Sequence, residues 1–397
     1  MDSQSVLGKE RIISLDVIRG FALLGILLVN MPSHSGSDLF FLSGMDKQVL
    51  LFFHLFIQTK FYTIFSFLFG LGFYIFMTRA EKKELAVNRL FSRRLFFLLL
   101  FGILHFALFW EGDILTTYAL VGFILILFYK RKPRTILIWA ISLMTFYLLL
   151  LLLGSLSGTS IYEIDEGMVN YSIEEGEEKV AAYTSLSYLD LVKWRWADSA
   201  VEYFSNNLFI VFDILAVFLI GLLCGKLKVF NRVKELKNRF RRLQISSLLL
   251  SVPTSIIIYK MFALTEDVTY IFSLWQLLFI TLSGITLATF YITTITLALE
   301  KAFWSKMLNP LRYVGQMALT NYLAQTVITF IIFYGFGLFG QITLSQGVIF
   351  SIILYILQIA FSYIWLKNYQ FGPMEWLWRW LTYGKKPAMK KRMEVEG

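Results

Sequence analysis

The chain has one cysteine, Cys224, and three histidines among 397 residues, and only 16% of its residues are charged. One thiol excludes an intrachain disulfide and leaves the redox compartment open. Three histidines, His34, His54 and His105, stand without ligand spacing, so a zinc centre has no support and no metal is expected. No phosphate-binding P-loop and no G-x-S-x-G nucleophile elbow occur. No internal repeat is visible, which argues against an inverted-repeat transporter. The first apolar run is interrupted by Arg19 and lacks a small-residue cleavage site, so it reads as a retained helix rather than a secretory signal.

What is abundant is apolar surface. Hydrophobic residues make up 57% and aromatics 17%, and the mean hydropathy is positive. A soluble domain has no use for that much apolar area, so the fold class expected is all-α, a polytopic transmembrane helix bundle in one integral membrane domain over 1–397. About ten segments are long enough to cross a bilayer: 14–31, 49–78, 95–110, 113–129, 135–154, 206–225, 244–263, 270–299, 316–336 and 346–366. The second and eighth are long enough to be kinked or preceded by a surface helix. The third and fourth are short and form a tight hairpin.

The net charge of +10 sits in links between apolar runs, which points to membrane topology and away from nucleic acid. "RAEKKELAVNRLFSRR", "KRKPR", "KLKVFNRVKELKNRFRR" and "KKPAMKKR" all fall on one side when ten crossings are counted. The opposite side receives "EIDEGMVNYSIEEGEE", "WEGD" and "TEDV". Both termini are therefore expected in the cytoplasm. An acidic extracytoplasmic loop is expected over 155–206, with short amphipathic helices, and a basic cytoplasmic loop over 226–243, against anionic lipid heads.

Charged and polar side chains inside such segments are expensive and need partners. In "RIISLDVIRGFALLGILLVNMPSHSG", Asp16 and Arg19 share a helix face, Asn30 lies near the outer end and His34 just beyond. An intrahelical ion pair is one reading. The other is that Arg11 and Arg19, with Arg93 or Arg94, receive an anionic donor group, because guanidinium is a planar fork of donors. In "LHFALFWEGDILTTYALVG", His105 and Asp113 fall on the two arms of the hairpin, with Glu111 at its tip and Tyr118 beyond. A carboxylate can orient a histidine as a general base, or the pair can glue helices together. Gly70 and Gly72 are read as helix-packing positions. "NPLRYVGQMALTNYLAQT" is expected to start non-helically at Asn309–Pro310, then to cross with Gln316, Thr320 and Asn321 in one polar cluster and Tyr322 beside them. A cavity is expected between segments one, three, four and nine, with Arg19 at its inner end and His34, His105 and Asp113 at its outer end.

Four blocks, "LDVIRGFALLGILLVN", "KFYTIFSFLFGLGF", "LHFALFWEGDILTTYALVG" and the pair "VGQMALTNYLAQT" with "FGPMEWLWRWLTYG", resemble the YeiB-type family of bacterial multipass membrane proteins, a domain of unknown function. That family is grouped with transmembrane acyltransferases, including heparan-α-glucosaminide N-acetyltransferase. The shared first-helix pattern LD-x-x-RG-x-A…VN maps onto Asp16, Arg19, Gly20 and Asn30. The resemblance implies transfer of an acyl group, with acyl-CoA as donor substrate, and a bacterial cell membrane location. The superfamily's histidine lies in an H-x-x-W-x-G stretch. Here His34 comes sooner and "HSGSDL" has no tryptophan.

Three functions stay open from sequence: a membrane acyltransferase moving an acyl group to a hydroxyl or amine, a transporter or exporter of a small amphipathic metabolite, and a non-catalytic lipid-binding protein. The candidate catalytic residues are His34, His105 and Asp113. Expected partners are the lipid bilayer and a small-molecule or lipid ligand, not nucleic acid; a homo-oligomer stays open.

The topology predicts that reporter fusions at Lys132 and Glu175 report opposite sides of the membrane. Both reporting from one side would remove it.

Overall fold

The computed structural model describes residues 12–37, 39, 44–157, 166–263 and 274–391. Its elements are α1 (Ile13–Ser35), α2 (Gly44–Phe56), α3 (Lys60–Glu81), α4 (Val87–Leu108), α5 (Leu115–Ile126), α6 (Pro133–Ser157), α7 (Glu166–Ser185), α8 (Tyr188–Lys226), α9 (Lys237–Ala263), α10 (Leu274–Ala298), α11 (Ala302–Gln316), α12 (Ala318–Phe330), α13 (Leu344–Asn368) and α14 (Pro373–Tyr383). Among the described residues the fold is entirely helical apart from one isolated bridge, Tyr369 to Lys390. Nine of the described helical stretches are long and apolar enough to span a bilayer, with α2 and α3 counted as one. The chain is a polytopic membrane helix bundle.

The fourth expected span is the exception. α5 has 12 helical residues, below the length that crosses hydrocarbon unaided. It still carries the chain between the two ends. Asp113, just before it, meets His105 near the end of α4, and Tyr129, just after it, donates to Glu81 at the end of α3 at 2.7 Å.

Contacts define the ends. One is basic: Arg94 stacks on Trp378 of α14 at 3.4 Å, Lys226 lies over Tyr129 at 5.6 Å, and Arg19 donates to the Gly315 carbonyl at 3.3 Å. The other is acidic and gathers the α4–α5 link, α7 and the first half of α8. The 155–206 stretch thus holds the whole of α7, and within 226–243 a 3-10 turn at Val229–Asn231 precedes α9.

The long second segment breaks between α2 and α3. Thr59 takes a left-handed φ of 66°, and Thr59 Oγ1 donates to the Ile280 carbonyl at 2.8 Å. Lys60, fully buried, donates to the His54 carbonyl at 2.8 Å. That ammonium satisfies a carbonyl at the C-terminal end of α2, where a cation also complements the helix dipole.

Two crossings depend on missing side chains. A Cβ on Gly70 would stand 1.9 Å from the Phe218 carbonyl oxygen, and one on Gly221 2.1 Å from that of Phe67, so α3 and α8 touch backbone to backbone. Gly20 and Gly315 do the same for α1 and α11, at 2.0 Å from Leu311 O and 1.9 Å from Asp16 O. Gly72 faces nothing within 4 Å, so of the two glycines singled out in α3 only Gly70 is a packing position.

The expected non-helical start at Asn309–Pro310 is not found. α11 is helical through Pro310, and the chain turns instead at Met317, with φ −113° and ψ 38°. Proline removes one helical donor, which an interfacial helix with an exposed face tolerates because water can serve the freed carbonyl. The turn at Met317 also separates Gln316 from Thr320, so their spacing of four does not put them on one helix face. Thr320 Oγ1 donates to Glu375 Oε2 at 2.6 Å, and Glu375 Oε1 accepts from the Leu319 amide at 2.6 Å and the Thr320 amide at 3.2 Å. A carboxylate from α14 thus caps the start of α12. Burial pushes the Glu375 carboxyl up, and its bonds to Thr320 and Leu319 offset part of that. Asn321 points elsewhere, donating to Ser362 Oγ at 3.0 Å and to the Val314 carbonyl at 3.2 Å. Gln358 donates to the Asn321 carbonyl at 2.9 Å, and Gln325 to Gln358 Oε1 at 2.9 Å and to the Leu23 carbonyl at 3.4 Å, tying α12 to α13 and α1.

Gly70→Ala is expected to lower stability by about 1–3 kcal/mol, because the new methyl must push α3 and α8 apart. Gly72→Ala is the matched control and should be close to neutral. Thermal unfolding in detergent distinguishes them; equal midpoints for the two variants would refute the close crossing.

Candidate functional site

The site is built on the turn that joins α4 to α5. Asp113 Oδ2 accepts from the Thr116 amide at 2.8 Å, which fixes the first turn of α5. Its other oxygen lies 2.9 Å from His105 Nδ1. A Cβ on Gly102 would sit 2.5 Å from the Thr116 amide nitrogen and 2.8 Å from Asp113 Oδ2, so a glycine one turn before His105 lets the turn close against α4. Tyr203 of α8 donates to the Asp113 carbonyl at 3.0 Å. His105 and Asp113 are 2% and 3% exposed. With the carboxylate accepting a hydrogen bond from Nδ1–H, Nε2 presents its lone pair, the tautomer a general base needs.

Nε2 of His105 is buried with no hydrogen-bond partner among the described residues. The rings of His105 and Tyr322 are 5.3 Å apart. His34 enters from α1. Its ring lies 4.2 Å from Trp110, whose other neighbour is His105 at 6.3 Å, and Trp110 Nε1 donates to Ser33 Oγ at 3.1 Å. His34 and His105, from two chain regions, therefore flank one tryptophan, and Asp113 is bonded to His105. Asn30 is half-buried on the same face of α1, one turn before His34. Tyr118 is buried one turn into α5, sharing a bond of 2.8 Å with Ser66 Oγ.

A cavity of about 320 Å³ adjoins this cluster. Ser33, Glu111 and Tyr203 line it on the side of the histidines, and Glu175, Glu178 and Asp198 line it on exposed turns of α7 and α8. It opens at the acidic end and takes much of its wall from α7 and α8, with Ser33 of α1 and Glu111 and Gly112 of the α4–α5 link. Glu111 directs its hydrogen bonds to α7 and not to the histidines. It accepts from Lys179 at 2.7 Å and from the Tyr183 hydroxyl at 3.1 Å. Burial alone would push its carboxyl up; the Lys179 charge and hydrogen bond, helped by Arg195, outweigh that and bring it down to about 2.

The arginines expected to bind a donor stand at the basic end. Arg19 pairs with Asp16 at 2.9 Å, and Asp16 is 5% exposed, so the pair turns towards α11 and not towards lipid. Arg94 is within electrostatic reach of Arg19 and of Arg379, which lies over Phe371 at 4.4 Å. Arg93 lies over Phe97 at 5.8 Å. Arg11 lies outside the described residues. Gln316 is half-buried at the turn between α11 and α12.

Sequence reasoning missed four groups: Lys60, Arg195, Tyr203 and Asp213. Asp213 had the clearest signal, an acid in the middle of an apolar run. In the fold it is 1% exposed and accepts from the Tyr62 hydroxyl at 2.5 Å.

The profile of a family described as "Protein of unknown function (DUF418)" matches residues 224–385. The chain is 33% identical to "Uncharacterized protein YxaH" of Bacillus subtilis (strain 168), over 99% of this chain and 99% of that protein. It is 31% identical to an "Uncharacterized 39.9 kDa protein in amylase 3'region" of Bacillus acidopullulyticus, over 96% of this chain and 97% of that one. It is 28% identical to "Uncharacterized protein YeiB" of Escherichia coli (strain K12), over 96% and 99%.

The low value at Glu111 has a pH consequence. A carboxyl held below its ordinary 4.5 contributes stability that is fully present above 4.5 and is lost as pH falls towards about 2. Docking of α7 through Lys179 and Tyr183 should therefore hold at pH 5 and loosen across that window. Protease cleavage within Glu166–Ser185 measures it. Glu111→Gln should already show the loosened pattern at pH 7; a variant as resistant as the parent would refute the link.

Proposed function

We propose, for a chain that belongs to the DUF418 family of multipass membrane proteins, that it is a membrane acyltransferase: it moves an acyl group from a donor such as acyl-CoA to a hydroxyl or amine. The observation that carries this reading is the buried His105–Asp113 pair with an unpartnered Nε2, next to a cavity open at the acidic end. In the reaction, Nε2 takes the acceptor proton as its oxygen or nitrogen attacks the thioester carbonyl. The carbon–sulfur bond then breaks, and the leaving thiolate takes the proton back from the imidazolium. Asp113 holds the ring and stabilises its charged form. His34 is a second candidate base, on the other side of Trp110.

Donor phosphates suit the basic end, where Arg19, Arg94 and Arg379 gather. Arg94 and His105 lie on one helix, eleven residues apart, which is about 16 Å along its axis. A donor held by its phosphates at one end must reach the histidine with an extended arm. Pairing of the basic loops with cytoplasmic donor and of the acidic end with an external acceptor follows from the same arrangement.

Asp213 favours a second reading, transport, because a carboxylate at membrane depth facing a tyrosine hydroxyl is also what a coupling-ion or proton path uses.

Purified protein given labelled acyl-CoA and a panel of hydroxyl and amine acceptors tests both. His105→Ala and Asp113→Asn should each lower transfer by about 10²-fold or more. Arg94→Leu should raise the donor concentration needed, while Arg241→Leu, on an exposed turn, should change little. Transfer that survives His105→Ala and His34→Ala removes histidine catalysis. No transfer with any donor, together with solute movement in liposomes that Asp213→Asn abolishes, replaces the first reading with the second.

A further inference from the structure

α11 takes no part in the chemistry above. It has 15 residues and carries Lys306, Asn309 and Arg312, so it neither reaches across a bilayer nor belongs among the apolar spans. It joins α10 to α12 at the basic end. Its C-terminal half is fixed against α1 by the Gly20 and Gly315 contacts.

The helix is amphipathic from end to end. Phe303, Met307, Pro310 and Val314 recur at helical spacing, with Trp304 and Leu311 beside them on the same stripe. Ser305, Asn309 and Arg312 recur on the opposite side, below Lys301 at the N-cap. The stripe is covered only in part. Leu311 and Val314 pack into the core beside α1, whereas Phe303, Met307 and Trp304 are 70%, 52% and 40% exposed. Two aromatic rings and a thioether on one stripe are costly to leave in water.

The flanks indicate what covers them. Lys301 and Lys306 are exposed and Arg312 half-buried, against one acid on this stretch, Glu300. Arg312 donates to the Tyr313 hydroxyl at 3.1 Å, the Tyr313 ring meets Tyr363 edge-on at 5.1 Å, and Lys367 of α13 lies 4.5 Å over that second ring. Cations and tyrosines beside an apolar stripe match the head-group layer of a leaflet. A second copy of this chain, laid on the same stripe by a two-fold axis, would bring lysines against lysines.

We propose that α11 is an interfacial helix that binds anionic phospholipid of the leaflet at the basic end, with acyl chains over Phe303, Trp304 and Met307 and phosphates at Lys301, Lys306 and Arg312. The binding does not rest on acyl transfer.

The test uses the full chain in nanodiscs, at one chain per disc, in a Cys224→Ser background and without acyl donor, so its failure leaves the acyl-transfer reading standing. A water-soluble maleimide labels Phe303→Cys or Met307→Cys, both at exposed positions, and Ala302→Cys, on the polar side, is the reference. In discs of phosphatidylcholine with phosphatidylglycerol, the first two should label about tenfold more slowly than the reference. In phosphatidylcholine alone their labelling should quicken about fivefold. Lys301→Gln combined with Lys306→Gln should remove that lipid difference, while Arg241→Gln should leave it. Labelling at the reference rate in both lipids would show a stripe facing water and overturn the proposal. Protection found only at two chains per disc would do the same by identifying a second copy as the cover. Protection indifferent to lipid charge, or a lipid difference that survives the double lysine exchange, would overturn the assignment to anionic phospholipid.

Discussion

Inside hydrocarbon, a polar group has only the protein to bond to. Most of the fold's particular features answer that constraint. The break between α2 and α3 frees carbonyls, and Lys60 serves one of them. The break between α11 and α12 frees amides, and the Glu375 carboxylate serves two. Asn321, Gln325 and Gln358 close on one another and on backbone carbonyls of α1 and α11. Some buried atoms stay without a partner among the described residues: Asp213 Oδ1, Ser283 Oγ and Arg312 Nε lie elsewhere in the bundle, and others lie towards the acidic end. Among the latter are His105 Nε2, before the α4–α5 turn, and the Arg195 guanidinium, one helical turn from Ser199 of the cavity wall.

Close backbone packing makes that arrangement rigid. Gly70 with Gly221 brings α3 against α8, and Gly20 with Gly315 brings α1 against α11. α8 in turn supplies Tyr203 to Asp113, and α1 supplies His34 to Trp110. The same two helices that cross by glycine contact therefore deliver the second and third sides of the site. A geometry fixed by main-chain contact has little room to relax, which is what orientation of a base requires.

Much of this was legible in the sequence. Hydropathy marks the spans because a helix must hide its backbone from lipid, and the one-sided basic links match the basic end of the bundle. The pairing of His105 with Asp113 was readable because a short turn leaves two arms side by side. The turn at Met317 was not readable: Pro310 is the stronger local signal, but the chain breaks where α14 can lend a cap, a tertiary cause. Arg195 and Tyr203 were hidden for another reason. They belong to a stretch that reads as a polar loop, and only the continuation of α8 for 39 residues lays it across the mouth of the hairpin. The grouping of His34 with His105 around Trp110 was also tertiary, since no spacing rule links α1 to the α4–α5 turn.

The brevity of α5 has a consequence for the membrane itself. Twelve helical residues rise about 18 Å, well short of a hydrocarbon layer of about 30 Å. Leu120, Ile124 and Leu127 are nevertheless exposed along it. Lipid beside this helix meets a hydrophobic belt narrower than elsewhere on the bundle, and it adapts by thinning, at a fraction of a kcal/mol per Å of mismatch. Thinning of that kind would draw the headgroup layer towards the end of the bundle that carries the α4–α5 turn.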